Sequence, residues 1–547
     1  MDQAASLPDL VSADALMATC AVMARRQKLS GTPEELASLQ DIQAMLDGFG
    51  YRTTMLSHDA YISLPGPAAV TIDGTPVTAI THSFSLASTG LTAPVVDLGT
   101  GEEAAFTRQD LQGRIVLVDG IASPAIADRA RRAGAAGQLH VSPHEHLHEM
   151  CISPVWGNPG ASTKDRLPTT VACTISNADG QALRAKLAAG TVTVTLAAAV
   201  NTGWRPTPIL VAEMDAPDPH APFVLLSGHH DTWYFGVMDN GSANATMVEC
   251  ARVLAQHHAH WRRGLRLCFW SGHSHGRYSG SSWYVDTHWD DLETGCAAHV
   301  NVDSTGGTGA TILAEAAAST ELHALAADAI GAETNQGYAG HRNARNSDMS
   351  VWGVGIPSMF GMLSVQPPSP VKMRNPLGWW WHTPHDLIDK VDPANLVRDT
   401  RIVARVLHRL LCDPVLPLDF AAHADALLAT LETMKGPMPL DALTAAATAL
   451  RDKARALTAA GPDADPSRAN RALMQVSRAL VPMDHTNGDR FVHDPALPLS
   501  PWPVLDPLRA LAHAPQDRFL AVDAVRARNR MLHALRQANR ALDAALA

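Results

Sequence analysis

The sequence predicts an α/β protein built around a doubly wound mixed sheet. Between residues 207 and 303, short apolar runs typical of buried strands alternate with segments of helical periodicity. Strands that alternate with helices of this length form parallel or mixed sheets with helices on both faces. Candidate functional residues follow the carboxyl ends of these runs, where ligand sites form in open α/β sheets. The predicted strands are 208–214, 223–227, 265–270 and 297–302, and the predicted helices are 242–257 and 279–288.

The length of 547 residues is too great for a single hydrophobic core, so we expect about three or four domains. Residues 1–57 have helical spacing and are predicted to be the N-terminal helical part of the domain that residues 203–414 form. Residues 58–202 change to short β runs broken by Gly, Pro and Thr. Residues 203–414 carry the α/β pattern, and residues 415–547 are rich in Ala and Leu at helical period.

The region 58–202 contains one clear unit of secondary structure. It is a buried strand at 113–119, a helix at 125–133 that ends at Gly134, and a further strand at 137–141. An alternating run at 192–196 closes the region as another predicted strand. We therefore expect a β-rich domain inserted before the main sheet.

Composition excludes several classes of partner. Hydrophobic residues make up 46% of the chain and charged residues 18%, and the net charge is −11 with no basic block, so we expect neither nucleic acid nor an anionic membrane as partner. The first residues lack a basic start followed by an apolar stretch, and no apolar run approaches the roughly 18 residues of a membrane span. Seven scattered cysteines without a CxxC spacing are typical of free thiols, so we expect a cytoplasmic protein.

Histidines and carboxylates recur in a fixed order after the predicted strands. A pair of divalent ions about 3.5–4 Å apart needs one carboxylate that bridges them and further N or O ligands on each ion. Three imidazoles and two carboxylates suit zinc, with manganese, iron, cobalt or nickel as alternatives. The motifs are Gly228-His229-His230-Asp231, Asp239-Asn240-Gly241, Gly272-His273-Ser274-His275-Gly276, Asn301-Val302-Asp303-Ser304 and Trp381-His382-Thr383-Pro384.

Together these motifs resemble the active site of the two-metal aminopeptidase and glutamate carboxypeptidase family. The resemblance implies a pair of divalent transition-metal ions, with zinc as the expected metal. It also implies that Asp231 accepts the other ring N–H of His229 and fixes its tautomer. The implied metal ligands are His229 and Asp303 on one ion, Asp239 as the bridge, and His275 and His382 on the other ion.

The remainder of the chain is similar to the same family. Residues 58–202 resemble the protease-associated domain inserted in its larger members. Residues 415–547 resemble the helical dimerisation domain of the transferrin receptor and glutamate carboxypeptidase branch. The resemblance therefore implies a homodimer.

One feature departs from the family pattern, because its adjacent Glu-Glu pair is absent. No carboxylate lies between Glu249 and Asp286, where that pair is expected. A gapless count back from Gly280-Ser281 places Ser274 at the general base and His275 at the metal ligand. The residue at the base position is therefore not a carboxylate. The same holds for a second possible alignment.

The second alignment matches Gly276 to the family's intervening glycine and allows one extra residue, which places His273 at the base. A histidine ligand in place of Glu makes that half of the site more positive, which lowers the pKa of bound water further. His273 can also carry protons near neutral pH. His273 and Ser274 therefore both remain candidates for the proton path, with Asp231 as a supporting residue.

Aromatic and basic residues next to the motifs are candidates for substrate contacts. Trp233 and Trp381 flank the motifs and indicate either an aromatic substrate pocket or ordinary core packing. Arg277 and Tyr278 follow the histidines directly and either hold an anionic group or pair on the surface. The cluster of residues 144–149, which contains three histidines, is either a polar loop or a wall of the substrate mouth.

The function that these motifs favour is a dinuclear hydrolase. It would cleave a C–N bond of a small amide, an amino-acid conjugate or a short peptide with a hydroxide activated by the ions. One alternative is a metal-assisted lyase or specialised amidase, because loss of the base costs an ordinary peptidase about 10²–10⁴ in rate. Another is a binding protein without catalysis, as in the transferrin receptor, which a metal analysis distinguishes.

Overall fold

In the computed structural model, which describes residues 7–342, 347–368, 376–434, 436–461 and 465–547, strands of both halves of the chain form one mixed sheet. The strands are β1 (Arg52–Ile72), β2 (Thr75–Val77), β3 (Ala79–Thr81), β4 (Ser88–Asp97), β5 (Ile115–Asp119), β6 (Gly137–Val141), β7 (Val171–Ile175), β8 (Thr193–Met214), β9 (Phe223–His229), β10 (Gly264–Trp270), β11 (Cys296–Asp303), β12 (Ala317–Ala318), β13 (His341–Arg342) and β14 (Ser358–Met362).

Helices cover this sheet and form the last part of the chain. They are α1 (Ala13–Met23), α2 (Pro33–Gly48), α3 (Glu103–Thr107), α4 (Pro124–Arg132), α5 (Asn177–Ala189), α6 (Ala243–Ala255), α7 (Ser279–Thr287), α8 (Trp289–Gly295), α9 (His323–Glu333), α10 (Pro393–Cys412), α11 (Phe420–Thr433), α12 (Asp441–Ala460), α13 (Pro466–His485), α14 (Asp506–His513) and α15 (Arg518–Leu546). Within the described residues, no helix is long and apolar enough to cross a membrane.

The α/β region of residues 203–414, called the catalytic half below, has the predicted mixed α/β fold. The strand pairing confirms this fold. Strands β10, β9, β11 and β14 are neighbours and run parallel, and β8 joins β10 antiparallel. Side chains of a strand alternate between the faces of its sheet. Accordingly, Val224 and Leu226 of β9 pack in the core with α6 and α10, whereas Leu225 packs with Tyr284 of α7 on the other face. Both faces are therefore covered.

The region 58–202 is joined to this half by two long strands. β1 and β8 pair antiparallel from Arg52 opposite Glu213 to Ile72 opposite Val194. The sequence predicted separate strands at 192–196 and 208–214, which was wrong, because pairing with β1 continues across the intervening Gly and Pro residues. Beyond this ribbon, β4 to β7 form consecutive parallel pairs around a core of their own.

The last part of the chain is helical, as its periodicity predicts. Helices α11 to α15 pack against one another, and their buried faces include Leu443, Leu450 and Leu535. A buried ion pair attaches α11 to the catalytic half, since His423 Nδ1 lies 2.9 Å from Glu321 Oε2. The helical layer is thus packed onto the α/β layer rather than separated from it by a linker.

Candidate active site

The candidate site lies at the carboxyl ends of the parallel strands. β9 ends at His229 and the neighbouring β11 ends at Asp303. β10 ends at Trp270 and continues into the turn that carries His273. Because parallel strands present their carboxyl ends at one edge, side chains distant in sequence meet there. One ligand atom each from His229, His273 and Asp303 lies within 4.8 Å of the others.

Asp239 lies between two of the predicted metal ligands. Its Oδ1 is 3.2 Å from His229 Nε2, and its Oδ2 is 3.0 Å from His382 Nε2. Asp303 Oδ1 is 3.6 Å from the same nitrogen of His229. Two ligand atoms at about 2.0–2.1 Å from a tetrahedral ion lie about 3.3 Å apart. The two oxygens of Asp239 therefore have the spacing of a carboxylate that bridges two ions.

The loop that carries Asp239 is fixed by Asp386. The carboxylate of Asp386 accepts hydrogen bonds from the backbone amides of Met238 at 2.8 Å and of Asp239 at 3.0 Å. Burial raises the pKa of Asp386 to about 7, although the two amides oppose the shift. Since Asp386 follows His382 by only four residues, a single segment positions both Asp239 and His382.

Three histidines of the site have a defined tautomer, because Nδ1 of each faces an oxygen that only accepts. Nδ1 therefore carries a hydrogen, so Nε2 is the ring nitrogen that is left to bind a metal ion. The Nδ1 contacts are from His229 to the carbonyl of Asp231 (2.8 Å), from His382 to the carbonyl of Glu149 (2.6 Å) and from His273 to Oδ2 of Asp348 (2.8 Å).

These ring nitrogens fit divalent cations. Nε2 of His229 is buried and has no hydrogen-bond partner within the described part of the chain, yet it faces carboxylate oxygens of Asp239 and Asp303. An imidazole nitrogen that faces carboxylate oxygens in a buried site needs a cation between them, either a proton on the ring or a metal ion that replaces it. The set of imidazole and carboxylate donors suits zinc or a neighbouring transition metal.

His275 lies beside the cluster with its own hydrogen-bond chain. Ser30 Oγ donates to Asp231 Oδ2 at 2.5 Å and accepts from His275 Nδ1 at 2.9 Å; the alternative contact from the Ser30 amide, at 3.4 Å, is longer. Nε2 of His275 is buried and unpaired among the residues that the structure describes. No ion-pair contact joins His275 to Asp239 there. Its role as a metal ligand therefore stays a prediction, to which the free lone pair is suited.

Asp231 does not make the contact that the sequence predicted. The carboxylate oxygen nearest to His229 Nδ1 is 4.0 Å away, and the backbone carbonyl of Asp231 accepts the ring N–H instead. The carboxylate turns to the backbone amides of His273 at 3.2 Å and Ser274 at 2.9 Å. Asp231 thus holds the turn that carries the histidines, in addition to fixing the tautomer of His229.

The charges of the site are strongly coupled. Burial on its own raises the pKa of Asp239, but the contacts with His229 and His382 hold that pKa well below its usual range. Burial lowers the pKa of His229, and the nearby Asp303 and Asp239 reverse this and raise it well above its usual value. For His382, burial prevails and lowers the pKa. Asp239 is therefore ionised, as a metal ligand must be, whereas a metal ion at His229 would have to displace the proton that the raised pKa favours.

A histidine-rich segment of the region 58–202 holds His382 from behind. The amide of Glu149 donates to the carbonyl of His382 at 3.1 Å, while His382 Nδ1 donates to the carbonyl of Glu149 at 2.6 Å. His148 Nδ1 donates to the carbonyl of Trp381 at 2.5 Å. The predicted cluster is therefore not a free polar loop, because it contacts His382 on the side of the ring that faces away from Asp239, and its role as a wall of the substrate mouth stays a prediction.

The hydrogen bonds within this segment form one directed chain. The amide of His146 donates to Nδ1 of His144, so His144 Nε2 carries a hydrogen and donates to His148 Nε2 at 3.2 Å. His148 is then protonated on Nδ1, which is the atom that binds the carbonyl of Trp381. All three contacts are satisfied with neutral rings, so the segment does not need a metal of its own.

The aromatic candidates pack directly on the histidines. The ring of Trp381 stacks on His382 at 3.5 Å. Trp233 lies 4.4 Å from His275 and 5.3 Å from His382, and it is buried. Tyr278 meets His273 edge-on at 4.9 Å. These rings line the site, and their contact with substrate stays a prediction.

Arg277 is the basic candidate and lies next to these rings. Its guanidinium is 5.1 Å from the ring of Tyr278, and its Nε is buried without a hydrogen-bond partner among the described residues. It makes no ion pair in that part of the chain. A half-buried guanidinium without a carboxylate is suited to an anionic group of a ligand.

Sequence reasoning missed three residues that support the site. Asp348 holds Nδ1 of His273 and is buried, and Ser281 donates to its other oxygen at 2.8 Å. Ser347 donates to Asp303 Oδ2 at 3.1 Å. Ser30 connects Asp231 with a histidine. None of these residues belongs to a motif. Only knowledge of which distant segments contact each other could have indicated them.

Comparisons with known proteins agree with this geometry. Residues 210–407 match the model of Peptidase family M28. A probable leucine aminopeptidase 2 of Aspergillus fumigatus is 30% identical over 227 residues, which cover 40% of this chain and 42% of that protein. A probable glutamate carboxypeptidase VP8 of Zea mays is 32% identical over 84 residues, or 15% of this chain and 12% of that protein. The chain thus spans less than half of these relatives.

Solved structures of aminopeptidases have the same fold. An aminopeptidase from Aneurinibacillus sp. strain AM-1 superimposes with a TM-score of 0.57 and 21% identity, covering 74% of this chain and 95% of that chain. A zinc aminopeptidase from Bacillus subtilis gives a TM-score of 0.55 and 19% identity, covering 73% of this chain and 95% of that chain. At these identities the likeness is one of fold.

Proposed function

We propose that the protein is a metal-dependent, peptidase-like hydrolase of C–N bonds, because residues 210–407 match the model of Peptidase family M28. The observation that carries the proposal is the position of Asp239, whose two oxygens face Nε2 of His229 and Nε2 of His382. A carboxylate flanked in this way is suited to bridge two ions.

The residues assigned to the ions follow from this geometry and from the free lone pairs. We assign His229 and Asp303 to one zinc ion, Asp239 to both, and His382 with His275 to the second. Bound there, the ions would lower the pKa of a water molecule and polarise the substrate carbonyl. The other steps depend on side chains of this chain.

His273 is the residue that we assign to proton transfer. Its Nδ1 is held by Asp348, and its ring stacks on that of His229 at 3.7 Å, so Nε2 is the ring nitrogen left to accept a proton from the attacking water. The same nitrogen can then deliver that proton to the nitrogen of the leaving group as the C–N bond breaks. The hydroxyl of Ser274 is buried and unpaired within the described residues, and it is the second candidate for this path.

The proposed substrate is a small amide or short peptide. Trp233 and Trp381 provide flat apolar walls beside the candidate ligands, and Arg277 offers a charge for an anionic group. The absence of the glutamate pair favours a narrow substrate range, so a specialised amidase or a metal-assisted lyase is the second candidate function. A binding protein without catalysis would not need a site in which imidazole nitrogens face carboxylate oxygens.

We also propose a cytoplasmic homodimer that forms through the helical part. Phe519, Val522 and Val525 lie on successive turns of α15 and are exposed, Phe519 by 88% of its surface. A row of exposed apolar side chains is suited to burial against a second copy. Light scattering at micromolar concentration should give a dimer, and a monomer there would contradict this assembly.

The proposed function is tested by hydrolysis assays on the full chain. Protein loaded with zinc should release product from a library of aminoacyl amides, dipeptides and N-acylated amino acids, and chelation should abolish this activity while zinc restores it. Asp239→Asn should abolish both activity and zinc binding. A lack of product from every substrate at full metal loading would favour the binding protein.

A further inference from the structure

A basic cleft lies on the side of the molecule opposite the candidate active site. Its volume is ≈ 1060 Å³. One wall is formed by residues that precede β9, β10 and β11, namely 218–222, 262–263 and 293–294, and the other wall by α13 and α15. Strands of seven or eight residues separate these amino ends from the catalytic ends, a distance of roughly 20–25 Å. The cleft is therefore distinct from the candidate active site.

The charge of this cleft is strongly positive, although the whole chain has a net charge of −11. Six arginines line it, against the two acidic residues Asp218 and Glu293. Within the described part of the chain, none of these arginines forms an ion pair, whereas Arg266 nearby pairs with both Glu213 and Asp291. The arginines are Arg262, Arg263, Arg471, Arg478, Arg490 and Arg540.

Three of the guanidinium groups form the floor of the cleft and are held by neutral oxygens. Arg263 donates to the carbonyls of Leu410 and Asp413 at 2.9 and 2.8 Å. Arg478 donates to the carbonyl of Gly355 at 2.9 Å, and Arg490 is bound to carbonyls in the same way. Carbonyl oxygens fix a guanidinium but do not neutralise its charge. Within the described residues, the floor therefore carries fixed positive charge that no ion pair neutralises, and Asp413 and Glu293 offset it only from beyond ion-pair distance.

Burial of these charges has a measurable consequence for their ionisation. Arg263 is 2% exposed and its burial lowers its pKa to about 10, and burial also lowers the pKa of Arg478. Asp413 opposes the lowered pKa of Arg263, and Cys296 and Glu293 oppose that of Arg478, whereas the positive charges of Arg262 and Arg490 add to the two shifts. An anion in the cleft would stabilise the buried guanidinium charges and would reduce the repulsion between neighbouring arginines.

The rim of the cleft supplies movable donors. Arg262, Arg471 and Arg540 are exposed, and hydroxyl and amide side chains lie between them. A guanidinium group binds two oxygens of a phosphate or carboxylate at once. No Phe, Tyr or Trp belongs to the lining found for the described residues, so a nucleobase has no ring on which to stack.

We propose that this cleft binds a small polyanion that carries several phosphate or carboxylate groups. The ligand would span α13 and α15 on one side and the amino ends of the strands on the other. It would thereby strengthen the contact between the helical part and the catalytic half. The site needs neither metal nor substrate at the active site, so it is independent of the proposed function.

Isothermal titration of the full-length, zinc-loaded protein with inorganic triphosphate and, separately, with citrate tests the proposal. We expect saturable binding of one of these anions at 150 mM salt, a condition under which purely diffuse attraction is screened. Binding of triphosphate alone identifies phosphate as the preferred group, and binding of citrate alone identifies carboxylate. Thermal unfolding should shift upward with the ligand that binds.

The variant Arg471→Ala/Arg540→Ala should weaken this binding at least tenfold without loss of the fold, because both side chains are exposed. Arg526→Ala, also exposed and on α15, is the matched control and should bind like the wild type. Failure of both anions to bind, or unchanged affinity in the double variant, would overturn the proposal.

Discussion

The ring of His273 is oriented by the buried carboxylate of Asp348, whose Oδ2 lies 2.8 Å from Nδ1. The second oxygen of Asp348 accepts from Ser281 at 2.8 Å, so both carboxylate oxygens are used. An imidazole held in this way keeps one fixed orientation, with its ring stacked on that of His229 at 3.7 Å and Nε2 left free. In one of the two alignments His273 takes the position of the family's carboxylate base, and in the other Ser274 does.

If His273 carries the proton, then removing it should slow the chemical step. His273→Ala should lower kcat by about 10²–10⁴ with little change in metal content, and Asp348→Asn should lower kcat by at least about tenfold. Stopped assays and elemental analysis on the same samples measure both quantities. The matched control is another His–Asp pair, His493 with Asp286 at 3.0 Å, whose His493→Ala and Asp286→Asn variants should keep the wild-type rate. Loss of one ion in His273→Ala would show that His273 is a ligand.

The segment that contains His148 should position His382. His148→Leu removes the donor to the carbonyl of Trp381, so the affinity for one of the two ions should fall by about 10–100-fold, as is usual for residues that orient a ligand. Zinc titration with a competing chelator measures this affinity. His146→Leu is the control, because only the backbone amide of His146 takes part in the chain and it is kept. Equal zinc affinity in the two variants would show that the segment packs against His382 but does not position it.

The role of His275 can be tested through Ser30. Ser30→Ala breaks the chain from Asp231 to His275 Nδ1 and should weaken binding of one ion by about tenfold, whereas His275→Ala should remove that ion. Ser38→Ala is the control, since Ser38 is equally buried and its hydroxyl contacts only the sulfur of Met23. Full occupancy in His275→Ala would mean that the second ion uses another ligand.

The ion pair between His423 and Glu321 should make stability depend on pH. Burial opposes both charges, but the pair raises the pKa of His423 and lowers the pKa of Glu321. The raised imidazole stabilises the fold fully below its unfolded pKa of about 6.5 and loses this effect as pH rises through the folded value. The lowered carboxyl stabilises it above about 4.3 and loses this effect as pH falls.

The urea midpoint of His423→Leu should therefore differ from that of the wild type most between about pH 4.3 and 6.5, by the equivalent of about 3–5 kcal/mol. The difference should shrink toward pH 9. His513→Leu, an exposed histidine of α14, should have no such effect. A difference that does not change with pH would indicate lost packing alone.

The sequence predicted the elements around the site because their signals are local. The apolar runs that became β9 and β11 are short, and each is followed by a motif, so the placement of His229 and Asp303 at strand ends needed no tertiary information. The predicted helix at 242–257 corresponds closely to α6 for the same reason. The metal ligands, however, could be grouped only through the family resemblance.

Contacts between distant segments were beyond sequence reasoning. Glu149 and His382 are 233 positions apart, and a backbone carbonyl of Glu149 holds the ring, which no side-chain pattern records. The same is true of Asp231, where the carbonyl rather than the carboxylate binds His229. Pairing of β1 with β8 across apparent strand breaks depended likewise on a partner strand.

The measurement that tests the account most directly is the metal content of the purified protein and of Asp239→Ala. The central claim is that Asp239 bridges two divalent ions between His229 and His382. The account predicts close to two transition-metal ions per chain in the wild type and fewer than one in Asp239→Ala, with an unchanged fold by circular dichroism. Two ions retained in Asp239→Ala, or none in wild type supplied with zinc, would contradict it.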